Sequence, residues 1–215
     1  MDTHHINWFH SIDLNGFVTS GVKSISDLNF EADLYFSGDI ARGKSVLDIG
    51  AWDGFMSFEA ERRGAARVVA SDYFCWDGPG WGTQDGFNFA RQQLGSKVED
   101  LKADIGDLDP SKHGIFDVVL LPGVIYHLTD PWGGIKKAAD MTRETLIIET
   151  ATSMNDRSEP AMQYWVGDSL HGDPTNFWTP NEHCLRAMLM DMGFSRVDTI
   201  LHNRGGGRLV ARAWR

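Results

Sequence analysis

The stretch Lys44-Ser-Val-Leu-Asp-Ile-Gly-Ala-Trp-Asp-Gly54 constrains this chain most. An apolar run (Val46, Leu47, Ile49) ends on Gly50, turns through a short loop and restarts at Gly54 in a helical pattern. That predicts a buried parallel strand feeding a helix through a glycine turn, the place where nucleotide-like ligands meet a doubly wound sheet. Gly50 and Gly54 let the backbone pass close to a ligand and set amide N–H groups beside it. The loop has no phosphate-binding Lys-Ser/Thr pair, and Asp48 and Asp53 flank it. Two carboxylates repel a pyrophosphate but suit a ligand with positive charge, such as an amino group or a sulfonium.

Two more acids fall at matching places. Arg67-Val-Val-Ala-Ser-Asp72 ends in a carboxylate roughly twenty residues past the glycine loop, where ribose hydroxyls are held. The segment Val98-Glu-Asp-Leu-Lys-Ala-Asp104-Ile105 ends in another acid followed by an apolar residue, a pair suited to an adenine amino group and ring. Acids at three successive strand ends fit one ligand better than coincidence.

Length and composition exclude several classes. At 215 residues the chain builds one sizeable α/β core, and we expect a single domain over residues 1–215. No apolar run approaches a membrane span, and the polar start Met1-Asp-Thr-His-His does not read as a signal peptide. Cys75 and Cys184 are too few for a disulfide framework or zinc cage, which points to free thiols in the cytoplasm. His4, His5, His113 and His183 lack ligand spacing, so no metal is expected. A net charge of −10 opposes nucleic-acid binding, while eight tryptophans and 23 glycines favour an aromatic, loop-lined pocket for a small molecule. The expected assembly is a monomer or homodimer.

Elements alternate along the chain. After an irregular aromatic start (Trp8–Val22), the pattern predicts a helix over Ile25–Tyr35, a strand Ser45–Ile49 and a helix Phe55–Arg63 stopped by Gly64. A strand Arg67–Ser71 precedes a Gly/Trp-rich loop and a helix near Asp85–Leu94. Strands follow around Val98–Lys102 and at Phe116–Leu121, then a helix Trp132–Arg143 and a strand Thr145–Thr150. The insertion Ala151–Thr179 carries many aromatics but few helical signals. Pro180 is expected to open a helix reaching Met192, and Arg196–Leu201 with Arg208–Trp214 read as an antiparallel hairpin. This is an α/β pattern: a mainly parallel sheet with an antiparallel C-terminal edge.

That outline and several motifs resemble the class I S-adenosylmethionine-dependent methyltransferases, with a Rossmann-like, seven-stranded sheet. The branch it looks like holds the tRNA wobble-uridine (5-oxyacetyl-uridine-34) carboxymethyltransferases and their mo5U34 methyltransferase-like relatives. The residues that carry the resemblance are Trp8-Phe-His-Ser-Ile-Asp-Leu14, Val46 to Gly54, Phe58-Glu-Ala-Glu-Arg-Arg-Gly64, Gly123-Val-Ile-Tyr-His-Leu128 with Asp130-Pro131, and Leu146-Ile-Ile-Glu-Thr150.

Position by position, the resemblance implies S-adenosylmethionine as cofactor. Gly50, Ala51 and Gly54 surround its methionine part, Asp48 lies beneath its amino group, Asp72 meets the ribose, and Asp104 with Ile105 meets the adenine. Tyr73 and Gly123 join the expected cofactor contacts. Trp52 replaces the usual middle glycine, and it must point away from the cofactor or wall it. The carboxymethyltransferases carry an additional N-terminal region with a lysine for the carboxylate of carboxy-S-adenosylmethionine. Lys23 is close to that lysine in sequence but not in pattern, which favours the ordinary cofactor.

Methyl transfer is an in-line displacement at an activated carbon, so the protein aligns, desolvates and sometimes deprotonates the acceptor. His127, just past the carboxyl end of the strand Phe116–Leu121, is the candidate base; a histidine that caps the turn before Asp130-Pro131 is the alternative. Tyr126 is a wall or hydrogen-bonding residue, given an ordinary pKa of about 10. His10, His171 and Glu149 are secondary acid–base candidates. Trp8, Phe9, His10 and Ser11, within an N-terminal lid and helix over residues 1–40, are expected to fold over the cleft. Trp165, His171 and Trp178 in the insertion (151–179) are expected to line the acceptor site. Asp13, Asp156, Asp168 and Asp173 read as solvated or turn residues. The expected function is methyl transfer to a small-molecule oxygen in secondary or sugar metabolism. The alternatives are a tRNA wobble-uridine methyl or carboxymethyl transferase and a non-catalytic cofactor-binding module.

Overall fold

A computed structural model describes residues 6–204 and 206–215. His4 and His5 lie outside the described residues. The chain forms two compact units, Met1–Asp107 and Leu108–Arg215.

The first unit opens with an irregular N-terminal segment and helix α1 (Ile25–Tyr35), capped by Ser24, whose Oγ accepts from the Asp27 amide at 3.2 Å. Strand β1 (Ser45–Ile49), helix α2 (Phe55–Arg62), strand β2 (Arg67–Ser71), helix α3 (Asp85–Leu94) and strand β3 (Glu99–Leu101) follow. The strands are parallel in the order β3-β2-β1, with Ile49 opposite Ser71 and Ser71 opposite Leu101. Their carboxyl ends are thus level, and the residues just beyond them, Gly50 and Asp72, leave the sheet at one edge, where open α/β sheets bind ligands. Val46, Leu47, Val68 and Val69 are buried because a parallel sheet is covered on both faces.

The second unit begins with a short helix α4 (Pro110–His113) and strand β4 (Phe116–Pro122). A 3-10 turn (Ile125–His127) leads to helix α5 (Pro131–Asp140), where Pro131 opens the first turn and Asp130 caps it by accepting from the Gly133 amide at 2.9 Å. Strand β5 (Thr142–Ala151) runs parallel to β4, and then come β6 (Met162–Tyr164), β7 (Trp178–Pro180), helix α6 (Glu182–Asp191), β8 (Arg196–His202) and β9 (Arg208–Trp214). The order β4-β5-β9-β8 has β9 antiparallel to both neighbours. The three parallel strands of the first unit and the β4-β5-β9-β8 strands of the second make seven, in the mainly parallel, Rossmann-like pattern with antiparallel C-terminal strands.

Three expectations need correction. Pro180 ends β7 instead of opening α6; Asn181 caps that helix by accepting from the Cys184 amide at 2.8 Å. The helix expected to reach Arg143 stops at Asp140, because Thr142 and Arg143 already belong to β5. The insertion holds a two-stranded antiparallel ribbon, β6 with β7, that its short strands concealed. Cys75 and Cys184 are free thiols.

Candidate functional site

In the first unit the loop after β1 is tightly wired. Gly50, Trp52 and Gly54 all take positive φ (78°, 44° and 87°). A Cβ on Gly54 would sit 2.6 Å from the Phe87 ring and 3.0 Å from Phe58, so position 54 admits only glycine on both counts. The Gly50 and Ala51 amides donate to the Ser71 carbonyl (2.8 and 3.1 Å), and the Gly54 amide donates to the Ala51 carbonyl at 2.7 Å. The expected row of amides aimed at a ligand is therefore spent on the fold. The loop offers carboxylates instead.

Asp48 is buried; its Oδ2 accepts from Ser57 Oγ at 2.7 Å, while Oδ1 has no hydrogen-bond partner. Burial pushes its pKa up to about 6, with the nearby Asp72 charge adding to the rise. Asp53 is likewise pushed up to about 6, chiefly by burial. Its Oδ2 accepts from the amides of Phe9 (2.8 Å) and His10 (2.9 Å), which ties the N-terminal segment to the loop. Gly86, in the first turn of α3, makes room for Asp53: a Cβ there would collide with Oδ1. Asp72 accepts from Trp52 N at 3.0 Å and Cys75 N at 2.9 Å, and burial raises its pKa too. Three carboxylates raised chiefly by burial, with the Asp72 charge adding to the rise at Asp48 and Asp53, make a region of unneutralised negative potential. An unpartnered buried oxygen on Asp48 fits a cationic group.

Trp52 does not fold away into the core. Its ring stacks between Phe9 (4.6 Å, planes 7° apart) and Trp81 (5.7 Å), and its carbonyl accepts from Trp76 Nε1 at 2.8 Å. Trp8 is buried edge-on to Phe89, and Ser11 is buried with its hydroxyl 3.4 Å from the Gly21 carbonyl. Tyr73 is exposed, Ile105 opens a 3-10 turn, and Asp104 accepts from the Gly106 amide at 2.8 Å. His10 makes a poor proton acceptor: burial, then the Lys23 charge, lower its pKa to about 3. Its Nδ1 is 3.6 Å from Asp53 Oδ2, but a neutral imidazole forms no ion pair there.

In the second unit, Gly123 (φ 70°) donates its amide to the Glu149 carbonyl at 2.9 Å and turns the chain toward Tyr126 and His127. Those two rings lie 4.3 Å apart. His127 Nδ1 sits 3.1 Å from the Thr175 carbonyl and 3.0 Å from Thr175 Oγ1. Burial lowers the His127 pKa, with Arg208 adding to the fall, while the Thr175 contact and the Asp173 charge oppose it. Tyr126 accepts on its backbone carbonyl from the Phe177 amide at 2.7 Å. Its hydroxyl is 3.3 Å from Arg208 Nη2, and the guanidinium lies 5.0 Å above its ring.

Arg208, not singled out by sequence, is central to this cluster. It forms a two-pronged, nearly buried ion pair with Glu149, one contact being Nη2 to Oε2 at 2.9 Å. Burial disfavours the Arg208 charge, but Glu149 and Tyr126 outweigh it and hold the pKa well above the ordinary value. Glu149 is therefore committed to Arg208, which argues against it as an acid–base group. No local signal in the sequence marks it: Arg208 faces Ala151, two residues past Glu149, across β5 and β9, a register that only the fold sets. Asp173 is a turn residue as expected, but it also accepts from Thr175 N (2.8 Å) and Oγ1 (2.7 Å). Trp165, just past β6, donates Nε1 to Thr179 Oγ1 of β7 at 2.8 Å, and Trp178 of β7 lies 5.0 Å from Tyr164 of β6. His171 is exposed, with φ 59°, against the turn at Gly206. No group of three His, Cys, Asp or Glu among the described residues has metal-binding geometry. No helix among them is long and apolar enough to cross a membrane.

A methyltransferase domain model matches residues 26–199. The chain is 27% identical over 171 residues to the tRNA U34 carboxymethyltransferase of Alteromonas mediterranea, covering 74% of this chain and about half (47%) of that relative. The fold is similar to the N-terminal domain of EvdMO1 solved with SAH and D-fucose (TM-score 0.71, 18% identity, 97% of this chain and 91% of that one). It is also similar to magnesium protoporphyrin IX methyltransferase of Synechocystis PCC 6803 with bound SAM (TM-score 0.65, 18% identity, 88% and 78%). A third similar fold is the 1,6-didemethyltoxoflavin-N1-methyltransferase of Burkholderia thailandensis (TM-score 0.65, 18% identity, 87% and 77%). By the extent of the family match, this chain belongs to the methyltransferase domain family.

Proposed function

We propose that the protein transfers a methyl group from S-adenosylmethionine to an oxygen of a small-molecule acceptor. The observation that carries this reading is the trio Asp48, Asp53 and Asp72, whose pKa values burial holds up, with the Asp72 charge adding to the rise at the other two. A ligand with an ammonium and a sulfonium relieves that repulsion, and the unpartnered Asp48 Oδ1 gives a cation a fixed oxygen. Similar folds solved with SAM or SAH support the same cofactor.

When bound, S-adenosylmethionine supplies a methyl carbon already activated by its sulfonium. The chain's own residues bind, exclude water and take a proton. Asp72 orders the loop through the Trp52 amide, and the stacked rings of Phe9, Trp52 and Trp81 shield it. His127 takes the acceptor's hydroxyl proton; its lowered pKa keeps the imidazole neutral, and so able to accept, at physiological pH. An acceptor with an ionisable hydroxyl suits that arrangement.

The relative from Alteromonas favours a second reading, in which a tRNA wobble uridine is modified. The net charge of −10 opposes it. So does Lys23, whose ammonium is already paired with the nearly buried Glu31 at 2.6 Å rather than turned to an extra cofactor carboxylate. The test is methyl transfer from labelled S-adenosylmethionine to hydroxylated small molecules, beside a tRNA gel shift at moderate salt. Labelled small-molecule products and no shifted tRNA are expected; a tight, salt-sensitive tRNA complex overturns the reading. In the same assay His127→Ala lowers turnover by roughly 10²–10⁴ and leaves cofactor affinity nearly unchanged.

A further inference from the structure

The geometry points to Asp173 and Thr175 as positioning residues for His127: a carboxylate, a hydroxyl and an imidazole in series fix one proton on Nδ1 and present Nε2 as the accepting nitrogen. This rests on His127 being the proton acceptor.

Donor and acceptor roles leave no freedom in that series. The Thr175 carbonyl accepts only, so the Nδ1 that sits 3.1 Å from it carries the hydrogen. An ionised Asp173 also accepts only, so the Thr175 hydroxyl hydrogen points to Oδ1 at 2.7 Å. That turns an Oγ1 lone pair toward Nδ1, 3.0 Å away. Both contacts call for the same tautomer. The Asp173 carboxylate also accepts from the Thr175 amide at 2.8 Å, which pins the turn, and the Phe177 amide bonds the Tyr126 carbonyl at 2.7 Å. The insertion thus reaches His127 and its neighbour from a segment four dozen residues further along the chain.

The charges around the ring are mixed. Asp173 stabilises an imidazolium, Arg208 opposes it, and Glu149 partly neutralises Arg208. Tyr126 adds a ring at 4.3 Å. When the acceptor's O–H bond breaks, its proton goes to Nε2, the oxygen lone pair forms the new C–O bond, and the carbon–sulfur pair leaves with sulfur. The positive charge left on the imidazole is then answered by Asp173 through Thr175.

Nitrogen-15 NMR of the histidine rings in the full chain reads tautomer and titration without turnover. We expect the wild-type His127 ring to be protonated on Nδ1. Asp173→Asn should lower its titration midpoint by about half a pH unit or more and shift the acid limb of kcat/KM down equally. Thr175→Val keeps the backbone carbonyl, and with it the proton on Nδ1, but cuts the link to Asp173. It should lower the midpoint and lower kcat about tenfold, with KM for S-adenosylmethionine unchanged, and Thr175→Ser should restore both. Melting curves confirm that each variant is folded. A wild-type ring protonated on Nε2, or a midpoint unmoved in both variants, overturns the proposal. A midpoint that moves while the acid limb stays fixed overturns the base role of His127 itself, a distinct failure.

Discussion

Phe9 lies flat on Trp52, their ring centroids 4.6 Å apart and their planes 7° from parallel. Trp52 holds a left-handed backbone (φ 44°), which costs a non-glycine residue of order 1 kcal/mol or more. The stack, with Trp81 on the other side, offsets that cost. Phe9 is held in turn by its amide on Asp53, so the loop and the N-terminal segment stabilise each other.

Asp53→Ala removes the acceptor of two backbone amides. It should destabilise the protein by about 1–3 kcal/mol and speed hydrogen exchange at Phe9 and His10 far more than in the β1–β2 strands. Exchange at those two amides unchanged in the variant would disprove the latch.

Asp48→Asn should act in opposite directions on stability and binding. The variant keeps a partner for Ser57 and loses a buried charge whose pKa lies above its unfolded value. With the folded pKa raised, the cost grows as pH rises past the unfolded value of 3.8 and is complete above about 6, so at pH 7.5 the unliganded variant should be roughly 1–3 kcal/mol more stable. Its affinity for S-adenosylmethionine should fall about tenfold or more. Chemical denaturation and calorimetry check the two signs; a loss of stability together with unchanged affinity would contradict the account.

His10 sets an acid sensitivity of its own. Its folded pKa of about 3 is below the unfolded 6.5, so its contribution is present above pH 6.5 and drains away as pH falls toward 3. The raised Asp48 and Asp53 work the other way near pH 6 and mask it. The stability of His10→Gln relative to wild type should therefore rise by about 1.4 kcal/mol between pH 7.5 and 5.5. Parallel denaturation curves at both pH values would count against a buried neutral His10.

Arg208→Met strands Glu149 as a buried, uncompensated carboxylate. It should cost about 3–5 kcal/mol, whereas Arg208→Met with Glu149→Leu should recover most of the loss. A double mutant no better than the single one would show that the pair is not the main role of Arg208.

The first unit was the more legible one. β1 and β2 fall where Val46–Ile49 and Val68–Ala70 put them, because buried parallel strands read as plain apolar runs, and Gly54 announced the turn into α2. The carboxylates of the loop were visible too, but not their work. That Asp53 would hold Phe9 and His10, or that the amides of Gly50 and Ala51 would serve Ser71, depends on contacts across the fold. The second unit hid more. β6 and β7 are three residues each, too short for a period, and Pro180 imitated a helix start while ending a strand. Arg208 and Thr175 reach Tyr126 and His127 over long sequence separations, and no local pattern encodes such a meeting.

The central claim is that the acidic loop of the first unit binds S-adenosylmethionine. Calorimetric titration of the wild-type protein at pH 6 and pH 8 tests it most directly. We predict binding at both, tighter at pH 8, with proton release at pH 6 as the cation draws protons from Asp48 and Asp53. No binding, or a preference for carboxy-S-adenosylmethionine over the ordinary cofactor, would contradict it.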